Sequence, residues 1–137
     1  MKHWLMKSEP DAFSWDDLVK KGRSMWDGVR NHQAAANMKA MKKGDLVFFY
    51  HSNEGLEVVG IMKVDKEHYP DPTDPTGKFV VVELVPVKPL KTPVTLKAIK
   101  IDPKFADMFL VTHSRLSVSP VSDAHWAAIC KMGGVTP

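Results

Sequence analysis

Two runs of β-branched and aromatic residues dominate the middle of this chain: Leu-Val-Phe-Phe-Tyr-His-Ser at 46–52 and Lys-Phe-Val-Val-Val-Glu-Leu-Val-Pro-Val at 78–87. Such side chains fit a packed, pleated surface and lose rotamer freedom in a helix, so both runs read as strands. After the first, Asn53-Glu54-Gly55 makes a hairpin turn into a further strand over 57–64. A loop at 70–77 follows, in which Pro70, Pro72 and Pro75 block both a helix and a central strand. Beyond the second run, Pro86, Pro89 and Pro93 predict an extended, broken edge.

Helices belong early and late. Ser14 with Asp17 three positions on predicts a helix start, Trp15, Leu18 and Val19 supply its apolar side, and Gly22 ends it. The alanines, Met38 and Met41 predict a second helix over 32–41. Between the two, residues 26–31 (Trp-Asp-Gly-Val-Arg-Asn) form a loop, since Asp-Gly is a turn dipeptide. Thr95 caps a short segment through Ile99, Pro103 to Met108 gives a further helical turn or two, and 122–132 closes the chain with Trp126 and Ile129 facing inward. Short strands are expected at 3–7 and 116–118. Strands and helices do not alternate regularly, which argues against a doubly wound parallel sheet. The expected fold is α+β, a single domain built on a small mixed or antiparallel β-barrel decorated by helices.

At 137 residues the chain is the size of one domain, and its 44% hydrophobic content suffices for a packed core. It contains no apolar run long enough to span a membrane, and its first residues lack a signal-peptide core. One cysteine, Cys130, excludes an internal disulfide framework and a cysteine zinc site. A soluble, intracellular, cytoplasmic domain is expected. The net charge of +3 is spread out with no like-charged block, so nucleic acid is permitted as a partner without being demanded.

Catalytic signatures are missing. There is no Walker-type phosphate loop, no GxGxxG and no HExxH, and the six histidines have no paired metal spacing. His51-Ser52 and His113-Ser114 are adjacent pairs, which on a strand point to opposite faces and cannot form a dyad. Cys130 beside Ile129 reads as a buried, inert thiol. No enzyme, cofactor or metal is expected. What remains is Trp26 with Arg30 and Asn31: an aromatic face, a guanidinium and an amide that can stack on a flat heterocycle and read its edge. On residue types alone the plainer alternative is favoured, with Trp26 plugging the end of the barrel and Arg30 pairing with a carboxylate. Tyr50, His51 and Ser52 at a strand end, and Arg115 and Ser117 near the last strand, are open to the same two readings.

Taken in order, several segments resemble the EVE domain family of the PUA-like superfamily, itself distantly similar to YTH domains. They are WLMKSEP at 4–10, SWDDL at 14–18, WDGVRN at 26–31, GDLVFFYHSN at 44–53, VGIMKV at 59–64, Tyr69-Pro70-Asp71, PVTL at 93–96 and RLSVSPV at 115–121. The resemblance implies one EVE domain over residues 1–137, a closed, strongly bent β-barrel, and a pocket at one end. It also implies a reader of modified nucleobases, modified cytosine or methylated adenine, in DNA or RNA, held in an aromatic pocket. Carried over, Lys7, Ser8 and Glu9 would line one wall, with the Ser8 hydroxyl on a base edge. Trp26 would supply a stacking face, and Asp27, Gly28, Val29, Arg30 and Asn31 the polar rim. Tyr50, His51 and Ser52 would close the opposite side, with Arg115 and Ser117 as floor or phosphate contacts. The chain departs from the family pattern at Ala35 and Ala36, where arginine and asparagine are common, and at Phe79, often tryptophan. The alternatives are a hydrolase acting on a modified base or nucleoside, for which Lys7, Glu9 and His51 are the candidate groups, and a protein–protein interaction module.

Overall fold

In a computed structural model, which describes residues 2–137, the chain forms β1 (His3–Ser8), α1 (Trp15–Lys21), β2 (Ser24–Met25), α2 (His32–Ala40), β3 (Leu46–His51) and β4 (Glu57–Pro70). Then come β5 (Val80–Thr95), α3 (Leu96–Ile101), a 3-10 turn (Pro103–Phe105), α4 (Phe109–Thr112), β6 (Val118–Val121) and α5 (Asp123–Met132). The six strands make one sheet in the order β2-β5-β4-β3-β1-β6. It is mixed: β1 and β3 run parallel, and the other pairs are antiparallel.

The strand runs are apolar at consecutive positions because both faces of the sheet are covered. Trp4, Met6, Val47 and Phe49 belong to one core with Leu18 of α1 and Met38 of α2. Leu5, Phe48 and Tyr50, pointing the other way, belong to a second core with Phe105, Ile129 and Cys130. There Trp126 stacks on Phe48 at 3.8 Å between ring centroids. Four of the five α-helix starts carry a side-chain cap: Ser14 forms a capping box with Asp17, and Asn31, Thr95 and Ser122 accept from the third residue of their helices, whereas α4 starts after Met108 without one.

The sheet is open, which corrects the expected closed barrel. Its edges, β2 and β6, do not pair with each other. Helix α2 instead packs against β4, β5 and β6, so side chains bridge the gap where hydrogen bonds would close a barrel. Register shifts between β4 and β5 supply the bend. The strands at 57–64 and 78–87 are longer than the sequence indicates, reaching Pro70 and Thr95, and the last strand lies at Val118–Val121 rather than 116–118. Prolines 86, 89 and 93 do not break β5. The strand runs on through them beside β4, with register shifts falling between Val94 and Pro89 and between Lys88 and Pro86, and β2 covers its other side only at Glu83 and Leu84. No described helix is long and apolar enough to cross a membrane.

Candidate functional site

Parallel neighbours cannot be joined by a hairpin, so the chain between β1 and β3 is a crossover. It carries α1, β2 and α2, with residues 26–31 between the last two. The carboxyl ends of β1 and β3 sit together, tied by Ser52 N–H donating to Ser8 O at 2.9 Å. A cleft of about 620 Å³ opens there. Lys7, Ser8 and Glu9 form one side, the whole loop from Trp26 to Asn31 the other, and Ser117 joins them. Phe13 and Met25 add apolar lining. A smaller recess of about 370 Å³ adjoins it, sharing Lys7, Glu9 and Ser117 and including Tyr50, Ser52 and Arg115.

The loop is held at both ends. Trp26 N–H donates to Val82 O at 2.9 Å, extending the β2 ladder. The indole is edge-on to Phe49 at 5.5 Å and to Phe13 at 6.2 Å, and only 8% of the residue is exposed. It therefore fills core and lines the cleft at once. Gly28 has φ of 79°, a left-handed conformation suited to glycine, and its N–H donates to Asp71 Oδ2 at 2.9 Å. Arg30 Nη1 donates to the same oxygen at 3.0 Å, and its Nη2 donates to Thr73 Oγ1 at 3.0 Å. The guanidinium carbon lies 5.5 Å from the centre of the Phe79 ring. Asn31 Oδ1 accepts from Ala34 N–H, capping α2.

The anchor for this loop is a repeated Asp-Pro-Thr. Asp71 Oδ1 accepts from the Thr73 N–H and hydroxyl, and Asp74 Oδ1 accepts likewise from Thr76. Asp74 Oδ2 accepts from the N–H groups of Lys78 and Phe79. Burial alone would raise the Asp71 carboxyl, but the Thr73 hydroxyl, the N–H groups of Gly28 and Thr73, and Arg30 together hold it well below the usual carboxylate range. The Thr76 hydroxyl bond chiefly lowers Asp74, to about 2. Burial lowers the Lys7 ammonium, whose Nζ donates to Ser114 O at 2.7 Å, and pushes the Tyr50 phenol up to about 12 with help from Glu57. Among the described residues no cluster of His, Cys, Asp or Glu is arranged to hold a metal.

Residues 2–132 match the EVE domain family. The chain belongs to that family. Among solved structures it is similar to Rpa0253 from Rhodopseudomonas palustris, with 56% identity over 98% of this chain and 94% of that one, and a TM-score of 0.93. It is 36% identical to human thymocyte nuclear protein 1 over 88% of this chain and 68% of that protein. The human THYN1 protein in complex with 5-methylcytosine-containing DNA matches with 32% identity, full coverage of both chains and a TM-score of 0.93.

In this EVE domain the structure brings together Lys7, Ser8, Glu9, residues 26–31 and Ser117 in the cleft, and places Tyr50, Ser52 and Arg115 in the adjoining recess. His51 lines neither. It points back to α1, where its Nε2 accepts from the Trp15 N–H at 3.1 Å, supplying a helix N-terminal donor with a partner. Ser8 Oγ donates to Phe13 O at 2.5 Å, so its proton is committed to the turn after β1. At the departures from the family pattern, Ala35 is 4% exposed and packs in the interface of α2, while Phe79 sits beneath Arg30 and beside His32. Sequence reasoning passed over Asp71, Thr73 and Asp74 as site-shaping residues, although the doubled Asp-Pro-Thr was visible as turn chemistry. Phe13 and Met25 carried no signal.

Proposed function

We propose that this EVE domain, residues 1–137 acting as one unit, is a noncatalytic module that holds a modified nucleobase extruded from DNA in the 620 Å³ cleft, with 5-methylcytosine as the favoured base. The observation that carries the reading is the cleft itself. One six-residue loop, Trp26 to Asn31, lines it with an indole at its base and a rim held in place by the Arg30–Asp71 pair and the Asn31 cap, in a chain superposing along its full length on a 5-methylcytosine DNA complex. Phe13, Met25, Trp26 and Val29 give apolar lining for a 5-methyl group, and one such group in an apolar pocket is worth about 1–3 kcal/mol of discrimination. Extrusion costs a few kcal/mol in a duplex and less in a single strand, so single strands bind more tightly. The net charge of +3 supports few phosphate contacts and a shallow salt dependence.

The noncatalytic part of the proposal rests on how two of the three candidate acid–base groups are used, Glu9 standing in the cleft without either of them as a free partner. His51 is engaged with Trp15 outside the cleft, and the Lys7 ammonium is engaged with a carbonyl oxygen. Amide chemical shifts recorded with 5-methylcytosine, cytosine and N6-methyladenine oligonucleotides, in DNA and RNA, test the reading. The expected result is a set of shifts at residues 26–31 that is largest with 5-methylcytosine DNA. Shifts confined to other surfaces contradict it, and larger shifts with methylated adenine RNA would reassign the ligand.

A further inference from the structure

A single extruded base does not account for the adjoining recess. At about 370 Å³ it lies within the range of small-ligand sites, roughly 300–1,000 Å³. Its walls are of two kinds. Leu56, Leu96, Leu110 and Tyr50 form an apolar side, and Lys7 and Arg115 bring cations to it. Lys7 Nζ lies 5.8 Å from the centre of the Tyr50 ring, and its hydrogen bond goes to the neutral Ser114 carbonyl. Among the described residues no carboxylate oxygen lies within 4.0 Å of the Lys7 or Arg115 side-chain nitrogens. Glu9 is the one acidic residue of the lining, at the junction with the cleft and ion-paired to neither cation, so two unpaired cations beside an apolar wall suit a ligand that is anionic at one end and flat and apolar at the other.

Leu56 is an independent indication. It has φ of 48°, a left-handed conformation that a bulky side chain rarely adopts, and it is 44% exposed. The cost of that backbone is not repaid by burial of the side chain. The strained turn is pinned by Leu96 N–H donating to Leu56 O at 2.8 Å, which sets the two leucines side by side on the recess wall.

We propose that the recess takes the nucleotide next to the extruded base on the same strand. Its base lies against Leu56 and Leu96, and the phosphate joining it to the modified nucleotide lies between Lys7 and Arg115. The continuity of the two cavities through Lys7, Glu9 and Ser117 gives the strand its path from one to the other. This inference rests on the base-reading function proposed above. Every base has an apolar face, so the contact favours a large neighbouring base over a small one without reading its identity.

The test uses the intact chain and single-stranded oligonucleotides carrying one 5-methylcytosine, with the nucleotide on its 5′ or 3′ side replaced by an abasic site. Loss of one neighbour's base is expected to weaken binding about tenfold and loss of the other to matter little. In Leu56→Gly, which accepts the left-handed backbone and so keeps the fold, the penalty is expected to fall below about twofold. Thermal melting confirms that the variant is folded. Equal affinity for the intact and both abasic oligonucleotides, with preference for 5-methylcytosine over cytosine retained, overturns the recess assignment and leaves the base cleft standing. A full abasic penalty in Leu56→Gly also overturns it. No preference for 5-methylcytosine over cytosine overturns both.

Discussion

Arg30 Nη1 lies 3.0 Å from Oδ2 of Asp71, an exposed guanidinium on a carboxylate fully shut off from solvent. Because the same oxygen accepts from Gly28 N–H, one carboxylate fixes the turn and the cation of the loop facing the cleft. Asp71→Asn is nearly isosteric, yet it replaces a charged acceptor by an amide. The expected loss is about 1.5–3 kcal/mol of stability, read from urea unfolding, with weaker oligonucleotide binding as the loop loses its position. In a double-mutant cycle with Arg30→Gln the two changes should cost less together than the sum of each alone, and strict additivity would contradict the coupling.

Acid should act through the two Asp-Pro-Thr turns. Both carboxyls are lowered in the folded state, Asp74 to about 2, relative to an unfolded value of about 3.9. Their contribution is therefore complete above about pH 5 and lost as pH falls through the unfolded and then the folded values. Urea unfolding at pH 5 and pH 3 checks this: the loss between them should be smaller in Asp74→Asn than in the unaltered chain.

His51 gives a separate dependence near neutrality. Burial lowers its pKa, with Glu57 and Asp16 opposing, and Nε2 must be unprotonated to accept from Trp15 N–H. A depressed histidine stabilises fully above its unfolded value of about 6.5 and loses that contribution as pH falls below it. Between pH 7.5 and 5.5 the unaltered chain should lose more stability than His51→Leu, which itself costs about 1 kcal/mol at pH 7.5 through the orphaned N–H.

Gly60 is needed for close approach. A Cβ there would lie 2.6 Å from carbons of the Trp15 ring, closer than packed atoms tolerate. Gly60→Ala is expected to destabilise by about 1–3 kcal/mol, from displacement of α1 across β4. Denaturant unfolding with an unchanged midpoint would contradict it.

Much of this fold is legible because its signals are local. Ser14 with Asp17 and Thr95 announce their helices through side-chain caps, and the run at 46–52 announces a strand; the caps at Asn31 and Ser122 and the covering of both strand faces are seen in the structure. The loop at 26–31 is legible from Asp-Gly and from its resemblance to a family motif. What escaped is non-local. Whether the sheet closes depends on where α2 sits between β5 and β6, and no residue pattern reports that. His51 reads as a site residue from its place at a strand end, yet its ring is taken by a helix N–H 36 positions earlier in the chain. Asp71 lies 41 positions from the arginine it holds, so its role appears only once the loops meet. Trp26 answers to both of its sequence readings, since its burial makes it core and its position makes it lining.

The most direct measurement is the ratio of affinities for matched single-stranded oligonucleotides carrying 5-methylcytosine or cytosine at one position, followed by tryptophan fluorescence, in the unaltered chain and in Trp26→Ala. The account predicts a ratio of about tenfold or more in favour of the methylated base, collapsing toward unity in the variant. A ratio near unity in the unaltered chain, or one that survives the loss of Trp26, would contradict it.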